Sequence, residues 1–236
     1  MKKYIVILAA VLLSGFMVSC KGEAGPAGPA GADGITPESG WYSVVLQQGV
    51  DGYTGCYDAR IRSFAPDTNY GSDDASQIGY YEPNNDKKRF VIEFFFSDGP
   101  EVPDDAVIES VTLSLKTSGA GSGSGAYRLY ECSQAWSEGT TTWNNAGVSN
   151  WTVAGGNVDI NTPVSNSAVL NSSFIGWSTW KVDKNLIEEK MSAGTTFGFV
   201  FVADNETTIT SDVEIHTSEA VDVQNRPKLT IYYSKP

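Results

Sequence analysis

Arg89-Phe90-Val91-Ile92-Glu93-Phe94-Phe95-Phe96 and, a short way on, Val107-Ile108-Glu109-Ser110-Val111-Thr112-Leu113-Ser114-Leu115-Lys116 decide the fold. The first stretch is too rich in β-branched and aromatic side chains for a surface helix and reads as a core strand. In the second, Val111, Leu113 and Leu115 alternate with Thr112, Ser114 and Lys116, the period of two that marks a half-buried strand. Working outward, short apolar or alternating runs separated by Gly, Asn, Asp, Ser and Pro clusters predict strands at Tyr42–Leu46, Cys56–Ser63, Gln77–Tyr81, Arg89–Ser97, Ala106–Thr117 and Ala126–Ser133. Four more follow at Ser178–Val182, Thr196–Ala203, Ile209–Thr217 and Lys228–Tyr233. The one credible helix is Lys184–Met191, ended by Gly194. Many strands with little helix predict an all-β fold, a two-sheet antiparallel β-sandwich, with the glycine-rich Gly119–Gly125 as a hairpin tip.

The chain has 236 residues, 41% of them hydrophobic, enough for one sizeable core. Sixteen Lys and Arg against 28 Asp and Glu give a net charge of -12, which argues against nucleic acid as a partner. One histidine, His216, and three cysteines leave almost no room for a zinc site with several His or Cys ligands. A Ser-His-Asp or Cys-His enzyme would have to use that single imidazole, so composition leans away from catalysis.

The N-terminus reads as an address. Basic Met1-Lys2-Lys3 precedes the apolar run Tyr4–Leu13 and a small-residue exit ending in Cys20, the layout of a secretory signal peptide. The ending Met17-Val18-Ser19-Cys20 resembles a bacterial lipobox, with Met17 where leucine is usual. That predicts a leader over 1–19, acylation of Cys20 and a lipid anchor at the bacterial cell envelope; an ordinary signal peptide cut nearby is the alternative. Loss of Lys2 and Lys3 leaves 14 bases against 28 acids, or -14. Glycines 22, 25, 28, 31 and 34 open five Gly-X-Y triplets within the segment 20–40. They predict a polyproline-like spacer spanning about 45 Å at about 3.1 Å per residue, or else a weak trimer instead of a monomer. The folded domain is expected over 41–236. Export makes a Cys56–Cys132 disulfide plausible, two buried thiols being the alternative.

Several motifs follow one another in an order that matches a known family. Tyr57-Asp58-Ala59-Arg60-Ile61, then Pro66-Asp67-Thr68-Asn69-Tyr70-Gly71-Ser72, carry the first match. The Arg89–Phe94 strand, Val102–Leu115, the stretch from Tyr130 through Trp136-Ser137-Glu138 to Thr142-Trp143-Asn144-Asn145, Gly198-Phe199-Val200 and Arg226–Tyr233 carry the rest, in order, over about residues 52 to 233. In this order the motifs resemble the DNRLRE-domain family, a group like carbohydrate-binding module family 96, and the resemblance implies a jelly-roll-like sandwich and, for some members, binding of a polysaccharide such as alginate. Asp105 stands where the family has a turn glycine, and Ala146–Ile175 has no counterpart, so this insert is expected to reshape the ligand surface.

Candidate ligand residues follow. Trp136 and Trp143 could stack on a sugar, but as a motif they more naturally pack a corner of the sandwich. Trp151, Trp177 and Trp180, in or beside the insert, are the better platform candidates, with core packing as the alternative; Tyr80 and Tyr81 are similar, since alternation exposes one of them. Arg60, Arg62, Lys87, Lys88 and Arg89 could form a patch for uronate carboxylates. Asp67, Asn69, Asp73 and Asp74 space oxygens around Gly71 as a candidate structural calcium site, the plainer account being an Asn/Asp/Gly turn. No pair of acids stands out for glycoside hydrolysis. The expectation is a surface lipoprotein with a non-catalytic polysaccharide-binding head; the rival is a structural or adhesive protein, trimeric through its Gly-X-Y tract.

Overall fold

A computed structural model describes residues 40–235, with Asp98 described by its backbone only. The expected leader, Cys20 and the Gly-X-Y tract lie outside the described residues. Eleven strands run β1 (Trp41–Gln47), β2 (Cys56–Arg62), β3 (Ala75–Tyr81), β4 (Asp86–Phe94), β5 (Val107–Gly121), β6 (Ser124–Glu131), β7 (Ala168–Asn171), β8 (Ile175–Val182), β9 (Phe197–Ala203), β10 (Val213–His216) and β11 (Lys228–Ser234). A single helix, α1 (Lys184–Ala193), stands between β8 and β9. Asp183 caps it by accepting the Asn185 N–H at 3.0 Å, and Gly194 ends it at φ 63°, a left-handed position that glycine occupies without a Cβ penalty.

Every strand pair is antiparallel. The first sheet is built on β5, which pairs with β8 along one edge and with β11 and β10 along the other; β1 lies outside β11. The second is built on β4, with β2 on one edge and β9 and β3 on the other, followed by β6 and β7. The β10–β3 ladder joins the two layers. The result is an antiparallel β-sandwich, as the alternation predicts.

Between the layers lies the main core. Leu113, Leu115, Trp180 and Ile231 of the first sheet meet Phe90, Ile92, Leu129 and Phe201 of the second. Trp180 and Phe201 touch edge to face, their centroids 4.9 Å apart. Burying each such side chain contributes roughly 1.5–3 kcal/mol.

A second apolar cluster sits on the outer side of the second sheet. Ala59, Ile61, Val91, Val200 and Val202 face away from the main core and are covered by Ala146, Trp151 and Val158 of the long β6–β7 connection. This explains why every residue of β9 is buried: both of its faces are capped. The segment 146–175, expected as an insert, is in its first half a lid on this face.

Two expectations are corrected. Gly119–Gly125 is not a hairpin tip, because β5 and β6 belong to different sheets; the glycines carry the chain across the corner. A Cβ on Gly121, at φ 117°, would stand 2.4 Å from the Asp212 carbonyl oxygen. Cys56 and Cys132 are free thiols. Cys56 pairs with Phe94, Phe94 with Phe197, and the Cys132 N–H bonds to the neighbouring Gly198 carbonyl, so β4 and β9 lie between the two cysteines. Three strand spacings amount to about 14 Å, well beyond the reach of a disulfide.

Candidate functional site

Since much of the outer face of the second sheet is covered, the outer face of the first is the broader open surface. Alternation turns Thr112, Ser114, Lys116 and Ser118 of β5 away from the core side occupied by Val111, Leu113, Leu115 and Thr117, although Ser114, bonded to Thr179, is itself buried. Register then fixes the neighbours: Lys181 lies opposite Thr112, Thr179 and Lys228 flank Ser114, and Trp177 lies opposite Lys116. Outward rows on one strand recur about every 7 Å, so Lys181, Lys228 and Lys116 mark three successive rows down the face. The Trp177 ring is half-buried, with the Lys228 ammonium 4.2 Å from its centroid. Lys116 donates to Asn225 Oδ1 at 2.6 Å. None of the three lysines has a carboxylate partner within 4 Å among the described residues.

The other predicted ligand residues are spent inside the protein. Trp180 is fully buried and donates its indole N–H to the Tyr127 carbonyl at 2.8 Å. Trp151 is 5% exposed, donates to the Thr142 carbonyl at 2.9 Å and belongs to the lid. Neither ring can stack on a sugar from such a seat: one closes the main core, the other the outer cluster. Tyr80 is buried with its hydroxyl on Asn85 Oδ1 at 3.1 Å, while Tyr81 is half-buried under the Lys88 ammonium at 5.5 Å.

The basic cluster around β2 and β4 is an ion-pair seam and not a free patch. Arg60 pairs with Asp73 at 3.3 Å, Arg62 with the buried Asp86 at 2.6 Å, Lys88 with Asp212 at 2.9 Å and Arg89 with Glu206 at 2.7 Å. Arg60 also lies over the Tyr70 ring, 4.0 Å from its centroid, and burial lowers its pKa. Charges already neutralised in this way offer little to a uronate.

The candidate calcium residues turn to separate partners. Asn69 donates its amide to the carbonyls of Glu138 (2.7 Å) and Thr141 (2.8 Å) and accepts the Gly71 N–H. Asp67 accepts from Asn144, Asp73 holds Arg60, and Asp74 is exposed. Among the described residues no group of three or more His, Cys, Asp or Glu is placed to hold a metal ion. These contacts make the segment a turn clamped to the Trp136-to-Asn145 stretch. Gly71 is required there, since a Cβ would stand 2.2 Å from the Glu138 carbonyl oxygen.

That motif has the expected corner role. Glu138 accepts the Asp58 N–H at 2.8 Å, the Arg89 guanidinium lies 5.2 Å from the Trp143 ring centroid, and Gly155 packs beside that ring. Burial, opposed by the Asp58 hydrogen bond, pushes Glu138 up to about 7. Asp58 is raised well above the usual carboxylate range, first by burial and then by Glu219. His216 is half-buried and lowered by burial and by Lys116. The lysines 116, 181 and 228 are missed by a reading of local runs, because their grouping comes from strands distant in the chain; the alternation of β5 and β11 was the available signal.

The family model for carbohydrate-binding module family 96 matches residues 52–233. Among curated proteins none matches the chain.

Proposed function

The chain belongs to carbohydrate-binding module family 96, and from that premise we propose that it is a non-catalytic receptor for an acidic polysaccharide, bound along the open face of the first sheet. The observation that carries this reading is the line of lysines without a carboxylate partner among the described residues, Lys181, Lys228 and Lys116, running along β5 and its two neighbours beside the Trp177 ring. A polymer with repeated carboxylate or sulfate groups meets a cation at each row, and the indole offers an apolar face to a pyranose. The overall negative charge does not forbid this. The Debye length is about 8 Å at physiological salt, so the local lysines govern contact while the remaining acids keep the protein soluble.

Around this head we place the remaining expectations: export through the 1–19 leader, a lipid on Cys20, and the Gly-X-Y tract holding the domain away from the membrane. The leader's basic start, apolar run and terminal cysteine support them.

Affinity electrophoresis of the full chain through gels containing alginate, polygalacturonate or a neutral glucan tests the binding reading. Retardation by the acidic gels, weakened at least tenfold by K116Q/K181Q/K228Q and by Trp177→Ala, is expected. Equal mobility in acidic gels with and without those changes overturns it. Labelled fatty acid entering the wild type but not Cys20→Ser tests the anchor.

A further inference from the structure

We propose that a groove between Tyr57, Phe95 and Trp136 is a second sugar site, selective for a neutral pyranose. It lies on the outer side of the second sheet, away from the lysine face. Tyr57 of β2 is the cross-strand partner of Glu93 of β4, and its ring is 38% exposed. Phe95 follows β4 and meets Tyr57 edge to face, their centroids 5.5 Å apart at 81°. Trp136, Glu138 and their neighbours form the opposite wall of a cavity of about 350 Å³. That is at the small end of the roughly 300–1,000 Å³ found for ligand sites, room for a sugar unit and not for a long chain segment.

The polar groups define what it takes. Glu93 and Glu138 are the only charged residues in the lining, and no Lys or Arg stands among them. Each carboxylate is steadied by one internal hydrogen bond, Glu93 accepting from the Thr196 hydroxyl and Glu138 from the Asp58 N–H, which leaves further lone pairs as acceptors. The Trp136 indole N–H is buried without a partner among the described residues. In contrast, Trp151 and Trp180 both donate to carbonyls. An unmet buried donor costs about 1–3 kcal/mol; because this nitrogen is sealed from solvent, a ligand oxygen reaches it only when the ring turns toward the groove. A hydroxyl both accepts from an indole and donates to a carboxylate, which an ammonium cannot do. Above about pH 7, where Glu138 is ionised, a uronate would set its charge against two carboxylates. The groove therefore favours the uncharged sugar, the opposite choice from the lysine face. The two readings share family membership and no residue.

Titration calorimetry of the full chain with cellotetraose, mannotetraose and tetragalacturonate separates them. The groove predicts binding of at least one neutral tetrasaccharide. It also predicts at least tenfold weakening by Tyr57→Ala and Trp136→Ala, with no change on Trp177→Ala. Tyr57→Ala decides the matter, because Tyr57 lies at the sheet surface, 38% exposed, and its removal is compared at a temperature well below the variant's own melting point, whereas Trp136→Ala can unfold the corner. No heat with either neutral sugar, or neutral binding that survives Tyr57→Ala and fails in Trp177→Ala, overturns the groove. Loss of tetragalacturonate binding alone overturns the face and leaves the groove standing.

Discussion

The two outer faces of the sandwich are built from the same kind of ladder and end in opposite states. On the second sheet Ala59, Ile61, Val91, Val200 and Val202 point outward, and the chain spends much of the β6–β7 connection covering them. On the first sheet Thr112, Lys116, Thr179, Lys181 and Lys228 occupy the corresponding positions, and no lid is needed. The same contrast holds for charge. Near the covered sheet Arg60, Arg62, Lys88 and Arg89 are locked to Asp73, Asp86, Asp212 and Glu206, although Lys87 is not, while Lys116, Lys181 and Lys228 of the open sheet have no such partners among the described residues. A tryptophan or an arginine is thus informative about binding only once its face is known.

The comparison can be broken most severely at the indoles. Trp180→Ala and Trp151→Ala should each destabilise the fold by about 3–5 kcal/mol, seen as a lower urea midpoint at similar slope. Trp177→Ala should fall below about 1 kcal/mol. A comparable loss at Trp177 would mean that the open face is part of the core. Next come the charges. Lys88→Met leaves Asp212 buried and unpaired and should cost about 3 kcal/mol, whereas Lys228→Gln should change stability by less than about 0.5 kcal/mol; equal losses would erase the distinction between locked and free cations.

A smaller effect separates the corner from the faces by pH. A carboxyl with a raised folded pKa binds its proton more readily when folded. The stabilisation from Glu138 is therefore complete below about 4.3, the usual glutamate value, and is lost as pH rises through about 7. Asp58 acts in the same direction. The melting temperature should fall between pH 5 and pH 8, and Glu138→Gln should flatten that fall. Last, burial raises the Cys56 thiol and pushes Cys132 up to about 12. Without reductant, both should react with a thiol reagent readily in denaturant and slowly in buffer; a pair that stays unreactive in denaturant would indicate the disulfide.

Much of this was legible in the chain. Val111, Leu113 and Leu115 against Thr112, Ser114 and Lys116 announce one wet face and one dry one, and Arg89–Phe94 announces a strand with little water on either side. The brief strand Ala168–Asn171 escaped detection because four residues without strong alternation look like loop. Among the candidate aromatics, Trp177 kept an accessible ring while Trp151 and Trp180 did not, a distinction that local composition does not contain. Trp136 was read as a corner residue in preference to a stacking one, since its neighbours Tyr57 and Phe95 come from distant strands.

Periodicity, turn residues and the motif order determined by themselves that this protein is an antiparallel sandwich of a carbohydrate-binding family, because those signals act between residues close in sequence. Tertiary structure alone decided which indoles see water, which cations are already neutralised and that the two thiols stand apart. Each of these depends on which strands become neighbours across the sheets, and strand partnership is a non-local choice made by the burial of the whole core.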